Sequence, residues 1–290
     1  MSLSTGKFIF ILSTERSGST LLSAMLAGHH RVIAPAELHL MRYATIGDWR
    51  AGYPYAQASL NNLLDQIGKK NINYSQDTST LALYKEIESH TSESVIILDK
   101  TPAYSRYENV LRSIETLLPK YVWLVRHPIG VASSRIDRIK LGRKKSNISF
   151  KRKIKYPAYL LREFYYQKIG YRIKGLAEDW MDVNKKIENF LQKKDRDRWI
   201  KLHFEDIVCD PESSIKRLCK FLGLEFSFSM LNPQKNAPKE LSWGVGDEKL
   251  LAHKGISSAP AYKWKKVYKE DLLGADVISF AKKIGVKLEK

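Results

Sequence analysis

The chain has 290 residues, of which 43% are apolar and 11% aromatic, which is enough to form a hydrophobic core and excludes an intrinsically disordered protein. Its formal net charge of +18 predicts an anionic partner, although nucleic acid, an anionic cofactor, an acidic protein and an anionic membrane all meet that requirement. The two cysteines, Cys209 and Cys219, provide neither a disulfide framework nor a metal-ligand spacing.

No segment predicts a membrane span or a targeting peptide. The apolar run at residues 8–12 is far shorter than the roughly 20 residues that a spanning helix needs, and no small-residue cleavage site follows it. We therefore expect a soluble cytoplasmic protein.

Short apolar runs alternate with helical patterns along the chain. Five of these runs predict buried strands, at residues 7–13, 31–34, 95–98, 121–125 and 199–203. Leucines recur at helical spacing after Gly18, and another helical pattern ends at Pro119. Strands separated by helices predict an α/β fold with a central, mostly parallel sheet and helices on both faces. We expect a single domain at residues 1–290.

Two segments are predicted to be additions to this frame. Residues 49–91 are polar, and we expect them to form a capping insertion over the carboxyl edge of the sheet. Residues 138–175 are predicted to form a basic helical insertion, because residues 138–155 contain nine lysines or arginines and no acidic residue, and an aromatic-rich helical pattern follows.

The loop after the first predicted strand has the composition of an anion site. A turn from a strand into a helix points backbone N–H groups and a helix N-terminus at one place. Arg16 adds a fixed cation there, and Ser17, Ser19 and Thr20 add hydroxyl donors. A nucleotide triphosphatase would have a lysine after the last glycine of this loop, whereas Gly18 is followed by serine.

A second group of polar residues follows the fourth predicted strand. Arg126 ends the strand, Pro128 is suited to the first turn of a helix, and Ser134 and Arg138 are one turn apart on that helix. Arginine forms paired hydrogen bonds with phosphate. This group therefore predicts a second phosphate-binding region.

Together, the two regions resemble the sulfotransferases that use 3′-phosphoadenosine 5′-phosphosulfate (PAPS). The run Arg-Ser-Gly-Ser-Thr at residues 16–20 is similar to their 5′-phosphosulfate loop, in the branch that has arginine rather than lysine there. Arg126, Pro128 and Ser134 are similar to their 3′-phosphate motif. The resemblance implies a P-loop-like sulfotransferase fold, PAPS as cofactor, adenosine 3′,5′-bisphosphate (PAP) as product, and no metal. The implied cofactor-binding residues are Arg16, Ser17, Gly18, Ser19, Thr20, Arg126, Ser134 and Arg138.

Later segments extend the resemblance. Phe204-Glu-Asp is similar to a Tyr-Glu-Asp segment of the family, but phenylalanine leaves no hydroxyl at that position. The tail from residue 246 to Lys265, with His253 and Trp264, is similar to that of bacterial sulfotransferases of polyketide and olefin synthase assembly lines. From this similarity we assign His253 to catalysis and Lys254 to cofactor binding.

Sulfuryl transfer to a hydroxyl needs a general base and stabilisation of the leaving group. Glu37 follows the second predicted strand, where the resemblance implies a catalytic glutamate, and is the expected base. His39 is an alternative, because an ordinary imidazole titrates near neutral pH, and His253 is a third. Lys100 and Arg16 are the expected charge stabilisers.

The acceptor is less defined than the reaction. The tail resemblance implies a β-hydroxyacyl chain on an acidic acyl carrier protein, with residues 138–155 as a docking surface; polysaccharide, glycolipid and tyrosyl-protein acceptors remain open. A P-loop-type kinase is a rival hypothesis, because the strand ending at Asp99 resembles a Walker B strand. A non-catalytic, basic nucleic-acid-binding protein is another. We expect neither a nucleic-acid partner nor a membrane span.

Overall fold

The computed structural model describes residues 7–69, 74–145, 172–239, 241, 250 and 255–288. In this part of the chain five strands form one sheet, namely β1 (Phe8–Leu12), β2 (Val32–Ile33), β3 (Ile96–Asp99), β4 (Lys120–Val125) and β5 (Trp199–His203). All are parallel, and their spatial order is β2-β3-β1-β4-β5. Each strand lies within two residues of a predicted run, so the five predicted strands are confirmed.

The central strand β1 shows why these runs are continuously apolar. Its side chains alternate between two hydrophobic cores, with Phe8, Phe10 and Leu12 on one face of the sheet and Ile9 and Ile11 on the other. Successive side chains of a strand point to opposite faces. A strand covered on both faces therefore needs apolar residues at every position.

Helices cover both faces of the sheet, as expected for an α/β fold. The described part of the chain contains α1 (Ser19–Leu26), α2 (Ile46–Gly52), α3 (Gln57–Gln66), α4 (Thr80–His90), α5 (Glu108–Glu115), α6 (Pro128–Lys145), α7 (Arg172–Leu191), α8 (Phe204–Cys209), α9 (Pro211–Leu222), α10 (Pro233–Asn236), α11 (Ala259–Tyr262) and α12 (Ala275–Lys283). Helices α1, α8 and α9 pack on one face, whereas α4 to α7 and α12 pack on the other. None of the described helices is long and apolar enough to cross a membrane.

The segment predicted to cap the sheet contributes to its main core. Residues 49–91 contain α3, α4 and the end of α2. Tyr84 of α4 packs against Phe8 with their ring centroids 5.4 Å apart, and Trp49 is fully buried while its Nε1 donates to the carbonyl of Leu38 at 2.7 Å. A capping role at the carboxyl edge stays a prediction.

Most of the basic segment, residues 146–171, lies outside the described residues.

The strand order creates a crevice at the carboxyl edge of the sheet. From β1 the chain passes to β2 and β3 on one side, and then crosses to β4 and β5 on the other. Ligands of open parallel sheets bind where the direction of winding changes, outside the carboxyl ends of the strands. The loops after β1 and β4, which carry the two predicted phosphate-binding regions, meet at this point.

Replacement of Trp49 by alanine tests whether the 49–91 segment is part of the core. We expect Trp49→Ala to lower the free energy of unfolding by about 3–5 kcal/mol, because it removes a fully buried indole. Urea titration followed by circular dichroism measures the change. Tyr55→Ala in the same segment is the control, since Tyr55 is 59% exposed; equal losses in the two variants would contradict the assignment.

Candidate active site

The loop between β1 and α1 is held in place by hydrogen bonds within the loop and to Ser105. The N–H of Ser13 donates to the hydroxyl of Ser105 at 3.1 Å, and the hydroxyls of Thr14 and Ser17 lie 2.7 Å apart. Arg16 has a left-handed backbone with φ of 71°. Because the hydroxyl of Ser17 is bonded to Thr14 and the residue is buried, its side chain supports the loop and does not line the cavity above it.

Gly18 is required by both the backbone and the space around it. Its φ of 93° is left-handed, a conformation that glycine adopts without the steric cost of a Cβ. A Cβ at this position would lie 2.2 Å from Cδ2 of Phe204. The ring of Phe204, at the position where the family resemblance implies tyrosine, therefore packs directly on the loop.

Arg126 connects the second predicted region to the first. Its Nη1 donates to the carbonyl of Arg16 at 2.9 Å and its Nη2 to the carbonyl of Pro260 at 2.6 Å, while its guanidinium lies 4.4 Å from the ring centroid of Phe204. Arg16 in turn donates from Nε to the hydroxyl of Ser134 on α6 at 3.1 Å. The structure thus brings together Arg16, Arg126 and Ser134, which were predicted from separate motifs.

Glu37, Lys100 and Thr20 form a second cluster beside the loop. The ammonium of Lys100 donates to Glu37 Oε1 at 2.9 Å and to the hydroxyl of Thr20 at 3.1 Å, and Lys100 is only 2% exposed. His39 Nε2 lies 3.1 Å from Glu37 Oε2. The expected base therefore contacts both its alternative, His39, and the expected charge stabiliser, Lys100.

The surroundings of Glu37 hold it in the ionised form. Burial alone would raise the pKa of Glu37, but the Lys100 ammonium and the hydrogen bond from His39 outweigh burial and lower the pKa to about 2. Because the carboxylate is ionised and can only accept, the facing Nε2–H of His39 is the donor of this hydrogen bond. His39 thus orients Glu37, and its ring packs on Tyr53 with centroids 3.9 Å apart.

Asp99, which supported the kinase hypothesis, is a structural residue. It is fully buried, and it accepts hydrogen bonds from the hydroxyls of Tyr84, Tyr104 and Thr101. Burial raises the pKa of Asp99 against the effect of these donors. A Walker B aspartate would face the magnesium and phosphates of a nucleotide at the site, whereas Asp99 points into the core beside β1. The kinase hypothesis loses its main support.

An ion-pair network at the wall of the site was not found by the sequence analysis. Arg106 pairs with both oxygens of Glu15, at 2.8 and 2.6 Å, and with both oxygens of Asp179 on α7, at 2.7 and 2.9 Å. Arg135 also contacts Asp179, at 2.5 Å. Arg106 is 91 and 73 residues from these partners in sequence. No local pattern in the sequence could have indicated the network.

The C-terminal segment forms another wall. Trp264 is buried and stacks on His127, with ring centroids 4.2 Å apart and an angle of 14° between the planes. Nδ1 of His127 accepts the N–H of Ile129, so its Nε2 carries the proton and donates to Glu270 at 2.8 Å. These contacts fasten the segment to the end of β4.

A cavity of about 1150 Å³ lies between these walls. Its lining includes most of the predicted site residues in the described part of the chain, namely Arg16, Gly18, Ser19, Thr20, Glu37, Arg126, Ser134 and Arg138. Lys100 and His39 lie behind Glu37. His253 and Lys254 lie outside the described residues, so their assignments stay predictions.

The described residues form a parallel sheet with a cationic cavity at its switch point, a P-loop-like turn after the first strand and a carboxylate–ammonium pair beside that turn. This arrangement is typical of enzymes that transfer a group from an anionic, nucleotide-like donor. Residues 9–227 match the model of a family described as the sulfotransferase family. The chain therefore belongs to the sulfotransferase family and is an enzyme of that class.

Two solved structures resemble the chain over nearly its whole length. The sulfotransferase domain of the Synechococcus PCC 7002 olefin synthase is 27% identical, with a TM-score of 0.75, covering 100% of this chain and 98% of that one. The sulfotransferase domain from the curacin biosynthetic pathway is also 27% identical, with a TM-score of 0.76 and coverages of 97% and 98%. The predicted P-loop-like sulfotransferase fold and the resemblance to assembly-line sulfotransferases are confirmed.

A more distant relative comes from Caenorhabditis briggsae and has the provisional name protein-tyrosine sulfotransferase. It is 22% identical over 288 residues, which cover 96% of this chain and 89% of the relative.

Replacement of Lys100 tests the electrostatic account of Glu37. We expect Lys100→Met to lower the free energy of unfolding by about 2–4 kcal/mol at pH 7.5, because it leaves a largely buried carboxylate without its cation. The penalty should shrink as the pH falls to 4.5. The wild-type Glu37, with its pKa near 2, stays ionised over that range, whereas in the variant burial raises the pKa and the carboxyl takes up a proton.

Denaturant titrations at several pH values measure this difference. In the wild type, the ionised Glu37 contributes to the free energy of unfolding above about pH 4.5, its ordinary pKa. This contribution is lost as the pH falls toward 2. Lys216→Met is the control, since Lys216 pairs with Glu212 on the exposed face of α9. A Lys100→Met penalty that does not depend on pH would contradict the account.

Gly18→Ala tests how the loop and Arg126 depend on each other. The added Cβ must displace Phe204, on which the Arg126 guanidinium lies, so we expect the affinity for PAP, the product implied by the family resemblance, to fall at least about tenfold, or about 1.4 kcal/mol. Titration calorimetry measures it. Gly223→Ala is the matched control, because Gly223 has a similar φ of 72° with no atom near its Cβ position. It should lower stability but keep PAP affinity; loss of affinity in both variants would contradict the link.

Proposed function

We propose that this sulfotransferase transfers the sulfuryl group of PAPS to the hydroxyl of a β-hydroxyacyl chain carried by an acyl carrier protein, with Glu37 as general base. The observation that carries the proposal is the Glu37–Lys100 pair, 2.9 Å apart, beside the hydroxyl of Thr20 at the edge of the cavity. It provides a proton acceptor and a cation within one hydrogen-bonded group.

The chemistry of the cavity lining fits an adenosine bisphosphate with a sulfuryl group. The loop N–H groups, Ser19 and Thr20 suit the 5′-phosphosulfate, and the left-handed Gly18 brings backbone close to it. Arg126, Ser134 and Arg138 would suit the 3′-phosphate, and Arg16 connects the loop to them through its bonds with Ser134 and Arg126. Phe204 offers a flat apolar surface and no hydroxyl.

When bound, PAPS supplies the sulfuryl group: the acceptor oxygen bonds to sulfur, the bond from sulfur to the 5′-phosphate oxygen breaks, and the electron pair stays on PAP. The acceptor proton goes to the carboxylate of Glu37. Lys100 and Thr20 stand beside the loop that binds the leaving phosphate, where negative charge increases during the reaction. Transfer to a hydroxyl by this route needs no metal.

Lys100 contacts both Glu37 and the phosphate side of the site, so its effect on the base and its effect on the leaving group are linked. While the ammonium is bonded to Glu37, it holds the pKa of that carboxyl near 2 and makes it a weak base. As the ammonium turns toward new negative charge on the phosphate side, Glu37 loses part of this stabilisation and its pKa rises. The carboxylate thus becomes a stronger base as the acceptor proton is released.

The acceptor class is supported by two structural neighbours, which are sulfotransferase domains of an olefin synthase and of the curacin pathway. A tyrosyl hydroxyl is the second candidate, favoured by the name of the Caenorhabditis briggsae relative. The two acceptors differ in acidity and size but require the same base and cation.

Ligand-dependent thermal stabilisation separates the reaction classes. We expect PAP alone to raise the melting temperature, as the sulfotransferase requires. Stabilisation by ATP with magnesium but not by PAP would favour a kinase, and stabilisation by oligonucleotides alone would favour a nucleic-acid binder.

Glu37→Gln tests the base. We expect kcat for sulfation of a carrier-bound 3-hydroxyacyl chain to fall at least about 100-fold, because the amide does not accept the proton, while the dissociation constant of PAP changes less than about twofold. Rapid-quench assays and calorimetry measure the two quantities. Glu86→Gln is the control, since Glu86 makes a similar contact with His90 on the exposed face of α4. A Glu37→Gln variant that keeps its turnover would remove Glu37 from this role.

A further inference from the structure

Four lysines lie on the surface next to the mouth of the cavity. Lys263, Lys265, Lys266 and Lys269 are exposed, and no acidic residue interrupts the chain between them. Val267, in their midst, is 69% exposed. We call these five residues the lysine rim.

The lysine rim is rigidly attached to the site. Trp264 lies within the same stretch, is buried, and stacks on His127 at the end of β4. Four residues earlier, the carbonyl of Pro260 accepts a hydrogen bond from Arg126. The N–H of Val267 donates to the carbonyl of Trp264 at 2.9 Å, so the backbone that carries the lysines is anchored near the predicted phosphate-binding arginine.

The rim is also continuous with the cavity. Lys263 and Lys266 of the rim also line the cavity, and so does the neighbouring exposed Tyr262. Lys263 pairs with Asp137 on α6 at 3.1 Å, next to the exposed Arg138. A macromolecule bound on the rim would therefore stand at the entrance without filling the cavity.

We propose that the lysine rim is the docking surface for the acidic face of a carrier domain that delivers the acceptor hydroxyl. This inference rests on the proposed function and specifies its partner. Lysines supply long-range attraction that speeds encounter and sets orientation, and Val267 supplies a small apolar contact.

The geometry favours a carrier over an acidic tyrosyl peptide. A carrier presents its acceptor on an extended arm, so the domain stays outside and only the arm enters. It therefore needs a charged surface at the cavity mouth. A peptide acceptor has no such arm and would itself enter the cavity, so it would not need a separate charged surface outside it.

The experiment uses charge reversal at two rim lysines that do not line the cavity, Lys265→Glu with Lys269→Glu. Substrates are a 3-hydroxyacyl chain on an acyl carrier protein of net negative charge, the same chain on free pantetheine, and an acidic tyrosyl peptide. The matched control is Lys193→Glu with Lys220→Glu. These lysines are also exposed but lie at the amino edge of the sheet, near the starts of β5 and β4.

We expect KM for the carrier-bound chain to rise at least about tenfold in the rim variant and to stay unchanged in the control. kcat/KM for the pantetheine-bound chain and PAP affinity should be the same in all variants. Because the attraction is electrostatic, raising the salt to about 0.5 M should reduce the difference between wild type and rim variant.

An unchanged KM for the carrier-bound chain would overturn the docking surface, and so would an equal loss with the pantetheine-bound chain. The carrier would be overturned as the partner by two results together: the enzyme sulfates the tyrosyl peptide but not the carrier-bound chain, and the rim variant raises KM for the peptide at least about tenfold. Binding of PAP without transfer to either hydroxyacyl substrate would overturn the proposed acceptor itself, which distinguishes that failure from a failure of the docking surface.

Discussion

The site depends on the guanidinium of Arg126, which joins three segments that are distant in sequence. Its partners are the carbonyls of Arg16 and Pro260, 110 and 134 residues away, and the ring of Phe204 lies below it. Main-chain carbonyls are strong acceptors, and guanidinium is the side chain that satisfies several of them in fixed directions. A single cation at the end of β4 thus sets the distance between the β1–α1 loop and the C-terminal wall.

Much of the frame was predictable because it depends on local sequence. The five strands are continuous apolar runs. A glycine between a strand and a helix indicates the left-handed turn at Gly18. The meeting of Arg16 with Ser134 was also predictable, since parallel strands place their carboxyl ends, and the loops after them, on the same edge.

The remainder depends on contacts between distant residues, which no local pattern specifies. Trp49 and Tyr84 lie in a polar segment, yet both are part of the core. Each is a single large side chain on the face of α2 or α4 that packs against the sheet. The ion pairs of Arg106 depend on where α7 packs. Asp99 was interpreted from its strand-end position, but the hydroxyls of Tyr84 and Tyr104 gave it a structural role instead.

The left-handed backbone of Arg16 lowers the stability of the fold, whereas its side chain lies in the proposed binding site. For a residue with a side chain this conformation costs roughly 1–2 kcal/mol, and glycine would remove most of that cost. Glycine would also remove the guanidinium that reaches Ser134. Under the proposed function, stability and ligand binding therefore favour different residues at this position. A homologue released from catalysis would be expected to lose its arginine here before it lost the fold.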